Sequence, residues 1–278
     1  MSGRQVRDLL AAHGLHPRQA RGQNFVVDPN TVRRVARLAG VGPGSCVVEV
    51  GAGLGSLTLA LAETGASVLA VEVDSGLVGV LREVVATAEP PVQVVEADAM
   101  RLDWAGLLGT NQWTLVANLP YNIATPLVAD VLDGVPAVAR MVVMVQREVA
   151  ERLAAGVRDE AYGAVSVKVA YWATAELVGQ VPATVFWPQP KVESAIVDIR
   201  RHDGQPGDVD RGRLFELVAA GFGQRRKMLR GSLAGLVAAE GFAAASVRPE
   251  ARAEELDVDA WMRLARCSPV SPSSRPPS

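Results

Sequence analysis

The stretch Asn118-Leu119-Pro120-Tyr121 holds residue types that, in this order, could do chemistry on a planar amine. Such an amine is a poor nucleophile, because its lone pair is delocalised into the ring. The Asn118 side-chain oxygen and the Leu119 carbonyl offer two adjacent acceptors for its two hydrogens. Gripping both pulls the nitrogen toward a tetrahedral shape and aims its lone pair outward. Pro120 fixes the turn that points the Leu119 carbonyl inward, and Tyr121 offers a ring for stacking. Against an activated electrophile, positioning is most of such catalysis, and no strong general base is needed. His13, His16 and His202 all fall in terminal or loop regions and are given no role.

Chemistry of this kind needs a second partner, and the chain offers a place for one. Cys46 to Val50 is an apolar run that reads as a buried strand. A glycine-rich turn follows, and Leu57, Leu59, Ala60 and Leu61 then read as the first turns of a helix. Strand, glycine turn and helix together present backbone N–H groups to a ligand. A dinucleotide site would want glycine where Ser56 stands. The pattern from Glu49 to Gly55 is instead E-x-G-x-G-x-G, which resembles the first motif of the class I S-adenosylmethionine (SAM) methyltransferases. Glu72 and Asp98 end the next two strands, where open α/β sheets place ligand-facing carboxylates. Glu72 is suited to accept two ribose hydroxyls and Asp98 an adenine amino group. Asp74 is read as the cap of a helix from Gly76 to Val85.

The elements that must position these residues can be read in order. Gln5 to His13 reads as a short amphipathic helix. A polar, basic loop follows through Phe25. Asp28 caps a helix with Pro29 at its first position. Strands are expected at Cys46–Val50, Ser67–Val73, Val92–Glu96, Trp113–Ala117, Arg140–Gln146, Ala173–Val181 and Val192–Arg200. Helices are expected at Glu148–Ala155 and Ala161–Tyr171. Three prolines stiffen the loop from Pro182 to Lys191. The polar stretch His202 to Asp210 marks a domain boundary. Beyond it the strand signals stop, and helices are expected at Leu214–Phe222, Arg226–Leu236 and Ala260–Ala265. The expected division is therefore 1–201 for the domain with the strands and the glycine turn, 211–266 for a small helical domain that carries the late basic cluster, and 267–278 for a disordered tail.

The chain has 278 residues and a net charge of −2, enough length for one large domain and a small one. No apolar run reaches membrane-spanning length, and the N-terminus lacks the long apolar segment of a signal peptide. The two cysteines, Cys46 and Cys267, make no metal cluster and fit a reducing cytoplasm. Charge distribution says more than the total. Arg18, Arg21, Arg33, Arg34 and Arg37 cluster early; Arg225, Arg226, Lys227 and Arg230 cluster late. Fields fall off within about 10 Å at moderate salt, so local basic stripes can hold phosphate on an acidic chain. Solvated helix faces are the plainer account of either cluster.

The N6 amine of adenine has the chemistry that Asn118 to Tyr121 could serve. An adenine in a duplex must be flipped out, or already unpaired, to reach it. Phe186, on its proline-stiffened loop, is the candidate for the second stacking face. Trp187 beside it is read as a plug for the sheet edge.

Five motifs in order carry a family resemblance: Arg21-Gly22-Gln23-Asn24-Phe25, Glu49 to Gly55, Asn118 to Tyr121, Phe186 to Ser194, and Phe222 to Leu229. Together they resemble the ribosomal RNA adenine dimethyltransferase family, in its small-subunit (KsgA) branch. The resemblance covers nearly the whole chain except the tail. It implies an α/β, Rossmann-like class I SAM-dependent methyltransferase with a seven-strand sheet and a small C-terminal helical domain. It implies transfer of four methyl groups to two adjacent adenosines near the 3′ end of 16S rRNA, in small-subunit biogenesis. The cofactor would be SAM, the partner 16S rRNA in the small ribosomal subunit, the protein a cytoplasmic monomer, and no metal or membrane would be involved. Carried over by motif, SAM would meet Asn24, Val26, Gly51, Gly53, Glu72, Asp98 and Asn118. The target adenine would meet Asn118, Leu119, Tyr121 and Phe186. The chain departs from the family at Arg18, where lysine is usual, and at Val26, where leucine is. Met228 and Gly231 stand where Thr and Asn are frequent, and the overall charge is acidic for an rRNA-binding enzyme.

The nearest rival is the branch that methylates 23S rRNA and confers macrolide resistance. Lys191-Val192-Glu193-Ser194 and the Arg225-to-Leu229 stretch favour the small-subunit branch. A mainly non-catalytic assembly factor is a second rival, opposed by the intact Asn118 to Tyr121. A protein glutamine methyltransferase would show Asn-Pro-Pro-Tyr, which Leu119 breaks. DNA adenine methylation would want a DNA-reading domain, and none is evident.

Overall fold

A computed structural model of the chain describes residues 1–18, 22–204 and 207–268. Arg21 of the early basic cluster and residues 269–278 of the tail lie outside the described residues. The chain divides into two compact units. One is Met1–Leu153 with Ala173–Arg201; the other is Ala154–Trp172 with His202 onward.

Among the described residues the first unit is built on nine strands: β1 (Phe25–Val26), β2 (Cys46–Val50), β3 (Ser67–Glu72), β4 (Gln93–Glu96), β5 (Trp113–Asn118), β6 (Val138–Gln146), β7 (Ala173–Val181), β8 (Phe186–Trp187) and β9 (Ser194–Arg201). Seven of them form one sheet in the order β4-β3-β2-β5-β6-β9-β7. Strands β4 through β6 run parallel, while β9 is antiparallel to both β6 and β7. β2 and β3 are almost wholly buried, as expected of parallel strands covered on both faces. The chain winds outward from β2 through β3 to β4, then returns to lay β5 on the other side of β2. That reversal opens a crevice at the carboxyl ends of β2 and β5, where ligands bind in open α/β sheets.

Local chemistry sets the helices beside this crevice. Asp28 caps Pro29–Ala39 by accepting from the N–H groups of Asn30 and Thr31. The Thr31 hydroxyl also donates to it, and that bond leads in holding its carboxyl below the usual range. The C-terminal end of this helix is held by Arg140, which donates to the carbonyls of Leu38 and Ala39 and in a fork to the buried Asp198. A helix C-terminus favours a cation in this way.

In the second unit, helices Ala164–Trp172, Arg211–Gly223, Leu229–Ser232, Ala239–Ala244 and Val258–Arg266 pack together, and Trp261 in the last of them is fully buried. A Cβ on Gly221 would lie 2.6 Å from the Trp261 ring, so only glycine lets that helix approach so closely. Residues 154–172, expected within 1–201, group with this unit. The Tyr162 hydroxyl donates to the Leu256 carbonyl at 2.9 Å, and the Tyr171 ring meets Phe215 edge-on.

The structure differs from the sequence reading in several elements. The helix expected at Arg226–Leu236 is only the turn Leu229–Ser232. The N–H groups of Leu229 and Arg230 are taken by the carbonyls of Ala251 and Pro249, and Gly235 turns left-handed with φ +79°. Helices Trp104–Leu108, Ala124–Gly134 and Ala239–Ala244 add to those expected. The loop carrying Phe186 and Trp187 is a strand, antiparallel to β1, with Phe25 opposite Trp187 and Val26 opposite Phe186.

Candidate active site

The glycine turn after β2 is pinned to the neighbouring strand, since Gly51 and Ala52 both donate to the Val71 carbonyl. Gly53 adopts φ +59°, a conformation that side chains disfavour. A Cβ there would also come within 3.2 Å of the Phe25 ring. The turn therefore keeps its backbone bare toward a cleft at the ends of β2, β3 and β5.

Two carboxylates of different character face this cleft. Glu72 ends β3 and is buried. Its Oε2 accepts from Gly53 N–H at 2.8 Å, and its Oε1 accepts from Val73 and Asp74 N–H, both at 2.9 Å. Three backbone donors hold the group rigidly and leave it acceptor capacity, while burial raises its pKa. Asp98 is more open. It is set beside Glu72 because Ala97 donates to the Glu72 carbonyl, and its Oδ1 accepts from Met100 N–H.

A third carboxyl, Glu49, lies at the fourth position of β2 and also lines the cleft. It is 1% exposed. Burial pushes its pKa up to about 8; the neighbouring Glu72 adds to the shift, while the Thr58 hydroxyl opposes it. Its Oε2 finds no hydrogen-bond partner among the described residues. A buried acceptor without a donor is costly, and this one suits a ligand that carries an ammonium or hydroxyl group.

On the opposite wall, the Asn118 side chain is oriented by its own nitrogen. Nδ2 donates to the Asn24 carbonyl at 3.1 Å, so Oδ1 is turned away from that carbonyl as an acceptor. Leu119 is buried, and its N–H donates to Met144 in β6. The Pro120 carbonyl takes the N–H groups of both Ile123 and Ala124. The Leu119 carbonyl receives no hydrogen bond from the described residues, so the turn keeps two acceptors in sequence, one at Asn118 and one at Leu119. The Tyr121 hydroxyl lies 3.2 Å from Ser194 Oγ, and burial raises its pKa.

Asn24, Val26, Gly51, Gly53, Glu72, Asp98, Asn118, Leu119 and Tyr121 all line this one cleft. Phe186 does not. Expected as the second stacking face, it pairs with Val26 and belongs to an apolar cluster with Val32 and Ile196, 4% exposed. Phe25 against Gly53, and the orphaned Glu49 oxygen, were not singled out from the sequence as site residues. The lone aromatic in a polar loop was the available signal for Phe25; for Glu49 there was only its place in the glycine motif.

The basic clusters also resolve unevenly. Arg33 pairs with Glu63, Arg18 with Asp74, and Arg34 donates to the Gln180 carbonyl. Arg225 is bound to Glu254 and to the Glu160 carbonyl. Arg226 and Lys227 are exposed beside it. Among the described residues, no group of His, Cys, Asp and Glu could hold a metal ion, and no helix is long and apolar enough to cross a membrane.

Comparison with known proteins gives this geometry its context. The family model for ribosomal RNA adenine dimethylase matches residues 15–268. The chain is 46% identical over 270 residues to the ribosomal RNA small subunit methyltransferase A of Streptomyces coelicolor, covering 94% of each. It is 47% identical over 271 residues to the protein so named in Leifsonia xyli subsp. xyli, covering 94% of this chain and 96% of that one. Among solved structures it resembles the 23S rRNA methyltransferase ErmE (TM-score 0.68, 26% identity, 88% of this chain and 99% of that one). It also has the fold of a dimethyladenosine transferase from Plasmodium falciparum (TM-score 0.71, 22% identity, 85% and 94%). A match spanning nearly every described residue, on a class I methyltransferase sheet, is decisive: the chain belongs to the ribosomal RNA adenine dimethylase family.

Proposed function

We propose that this enzyme transfers methyl groups from SAM to the N6 amines of two adjacent adenosines near the 3′ end of 16S rRNA in the small ribosomal subunit. The observation that carries the reading is the Asn118 amide. Its nitrogen is tied to the Asn24 carbonyl, which leaves its oxygen as an acceptor, next in sequence to the Leu119 carbonyl, in residues that both line the cleft. An acceptor pair of that kind takes both hydrogens of one amine and holds its lone pair toward the cleft. Pro120 keeps the pair in place through the turn it closes with Ile123 and Ala124. Tyr121 supplies the stacking face.

The cleft residues fit SAM on their own chemistry. Glu72 has acceptor capacity for vicinal hydroxyls, Asp98 for an amino group, and the orphaned Glu49 oxygen for an ammonium. When bound, SAM supplies a methyl group activated by its sulfonium. The protein contributes alignment, which is worth much of the barrier for a bimolecular step.

The small-subunit branch is favoured by relatives 46–47% identical over most of their length, against 26% for ErmE. We place the enzyme in the cytoplasm, acting as a monomer, with Arg226 and Lys227 of the helical unit meeting RNA phosphate. The test is methyl transfer from labelled SAM to purified small subunits lacking the modification, with large-subunit RNA alongside. Dimethyladenosine in adjacent 16S positions is the expected product. Label confined to 23S RNA would overturn the assignment.

A further inference from the structure

Ser194 opens β9 and is 1% exposed, an unusual place for a hydroxyl. Its backbone is fixed in the ladder opposite Gln146 of β6 and Val181 of β7. The residue before it is pinned as well, because Arg147 N–H donates to the Glu193 carbonyl at 3.0 Å. Ser194 Oγ therefore stands at a well-defined point, and the Tyr121 hydroxyl lies 3.2 Å from it. The contact bridges 73 residues of chain and reaches the far end of the Tyr121 side chain. The near end is fixed by the turn that carries the Asn118 and Leu119 acceptors. A ring held at both ends has a fixed long axis. Held only at Cβ, that axis can swing between the staggered wells of χ1.

We propose that Ser194 is a positioning residue for the methyl acceptor: its buried hydroxyl holds the tip of the Tyr121 ring, and with it the ring's long axis, in the place where the target adenine stacks, beside the two acceptors. This rests on the adenine-N6 reading above. Ser194 touches no reacting atom, and its effect passes wholly through the Tyr121 hydroxyl. Removing either member of the pair should therefore do the same damage, and removing both should do no more.

The test compares the full-length enzyme with Ser194→Ala, Ser194→Thr, Tyr121→Phe and the Ser194→Ala/Tyr121→Phe pair. Single-turnover methylation of undermethylated small subunits is measured, together with the fluorescence of 2-aminopurine placed at one target position in reconstituted subunits. Ser194→Ala and Tyr121→Phe are each expected to slow transfer roughly tenfold at saturating RNA, with the KM for SAM unchanged. Both should weaken the quenching of the bound 2-aminopurine. The double variant should match the singles, and Ser194→Thr, which keeps the hydroxyl, should recover most of the rate. Multiplying effects in the double variant, or wild-type rate and quenching in Ser194→Ala, would overturn the proposal. If Ser194→Ala proves unstable, Tyr121→Phe against Ser194→Thr still decides it, since a silent Tyr121→Phe removes the pair from catalysis. Failure of the wild-type enzyme to methylate adenosine would instead overturn the proposed function, and the inference with it.

Discussion

Replacing Glu49 by glutamine should flatten the fall in stability of the ligand-free protein as pH rises. Glu49 sits in the middle of the sheet, opposite Ala70 on one side and Val116 on the other. Its carboxyl is buried and the charged group acting on it is Glu72, of like sign, so folding favours the protonated form. Its pKa rises from the ordinary 4.5 to about 8 on folding. A group raised in this way contributes stability that is complete below about pH 4.5 and is lost as pH climbs through about 8. At 1.36 kcal/mol per pH unit, the full loss is on the order of 5 kcal/mol, with roughly 3 kcal/mol already lost at pH 7. For a chain of this size that is a Tm difference of roughly 6–12 °C. Glutamine fills the same volume and does not ionise. Thermal or urea denaturation of both proteins from pH 5 to pH 9 would read the effect as the difference between the curves, in which the other titrating groups cancel. The variant should gain on the wild type with rising pH. Parallel curves would mean that Glu49 is ionised against a partner, and the account of the buried acceptor would fall.

Further outcomes follow from the same geometry. Asn118→Ala should cut turnover roughly 100- to 1000-fold, as loss of a preorganised transition-state contact does, with RNA affinity almost unchanged in a filter-binding assay; lost RNA binding would make Asn118 structural. Gly53→Ala should destabilise the fold by about 1–2 kcal/mol through its left-handed φ, and isothermal calorimetry should show weaker SAM binding. Unchanged affinity would remove the bare turn from the cofactor site. Arg226→Ala with Lys227→Ala should lower the slope of log affinity against log salt by about 1.5, whereas Arg225→Ala, whose guanidinium is already bound to Glu254, should cost up to about 1 kcal/mol of stability. An unchanged slope in the double variant would take that turn out of the RNA interface.

Much of the sheet was legible in the chain because parallel strands buried on both faces are written as unbroken apolar runs, as at Cys46–Val50 and Ser67–Glu72. Caps were legible for the same local reason: Asp28 before Pro29, and Asp74 before Gly76, act on N–H groups a few residues away. The cleft residues drawn from motifs, Asn24 through Tyr121, converge because each stands at a strand end or a glycine turn, which is where such a sheet places its ligand face. Arg226–Leu236 is not one helix: the N–H groups of Leu229 and Arg230 are claimed by carbonyls about twenty residues away, and local periodicity carries no record of that.

The sequence by itself therefore determined the strand pattern and the glycine turn, since these depend on neighbours in the chain, whereas the Asn118 amide is oriented by the Asn24 carbonyl, 94 residues away. Tertiary structure alone decided which side chains are spent on the fold and which remain for chemistry. Phe186 reads as exposed on its stiff loop, and its pairing with Val26 buries it. Arg225 and Arg33 looked like free cations until Glu254 and Glu63 met them. Glu49 was one letter of a glycine motif until burial left its Oε2 without a donor, and Ser194 was the last letter of a family motif until the fold set it against Tyr121. Burial and hydrogen bonding between residues distant in sequence are properties of packing, and they settle which of the chain's polar groups still need a partner.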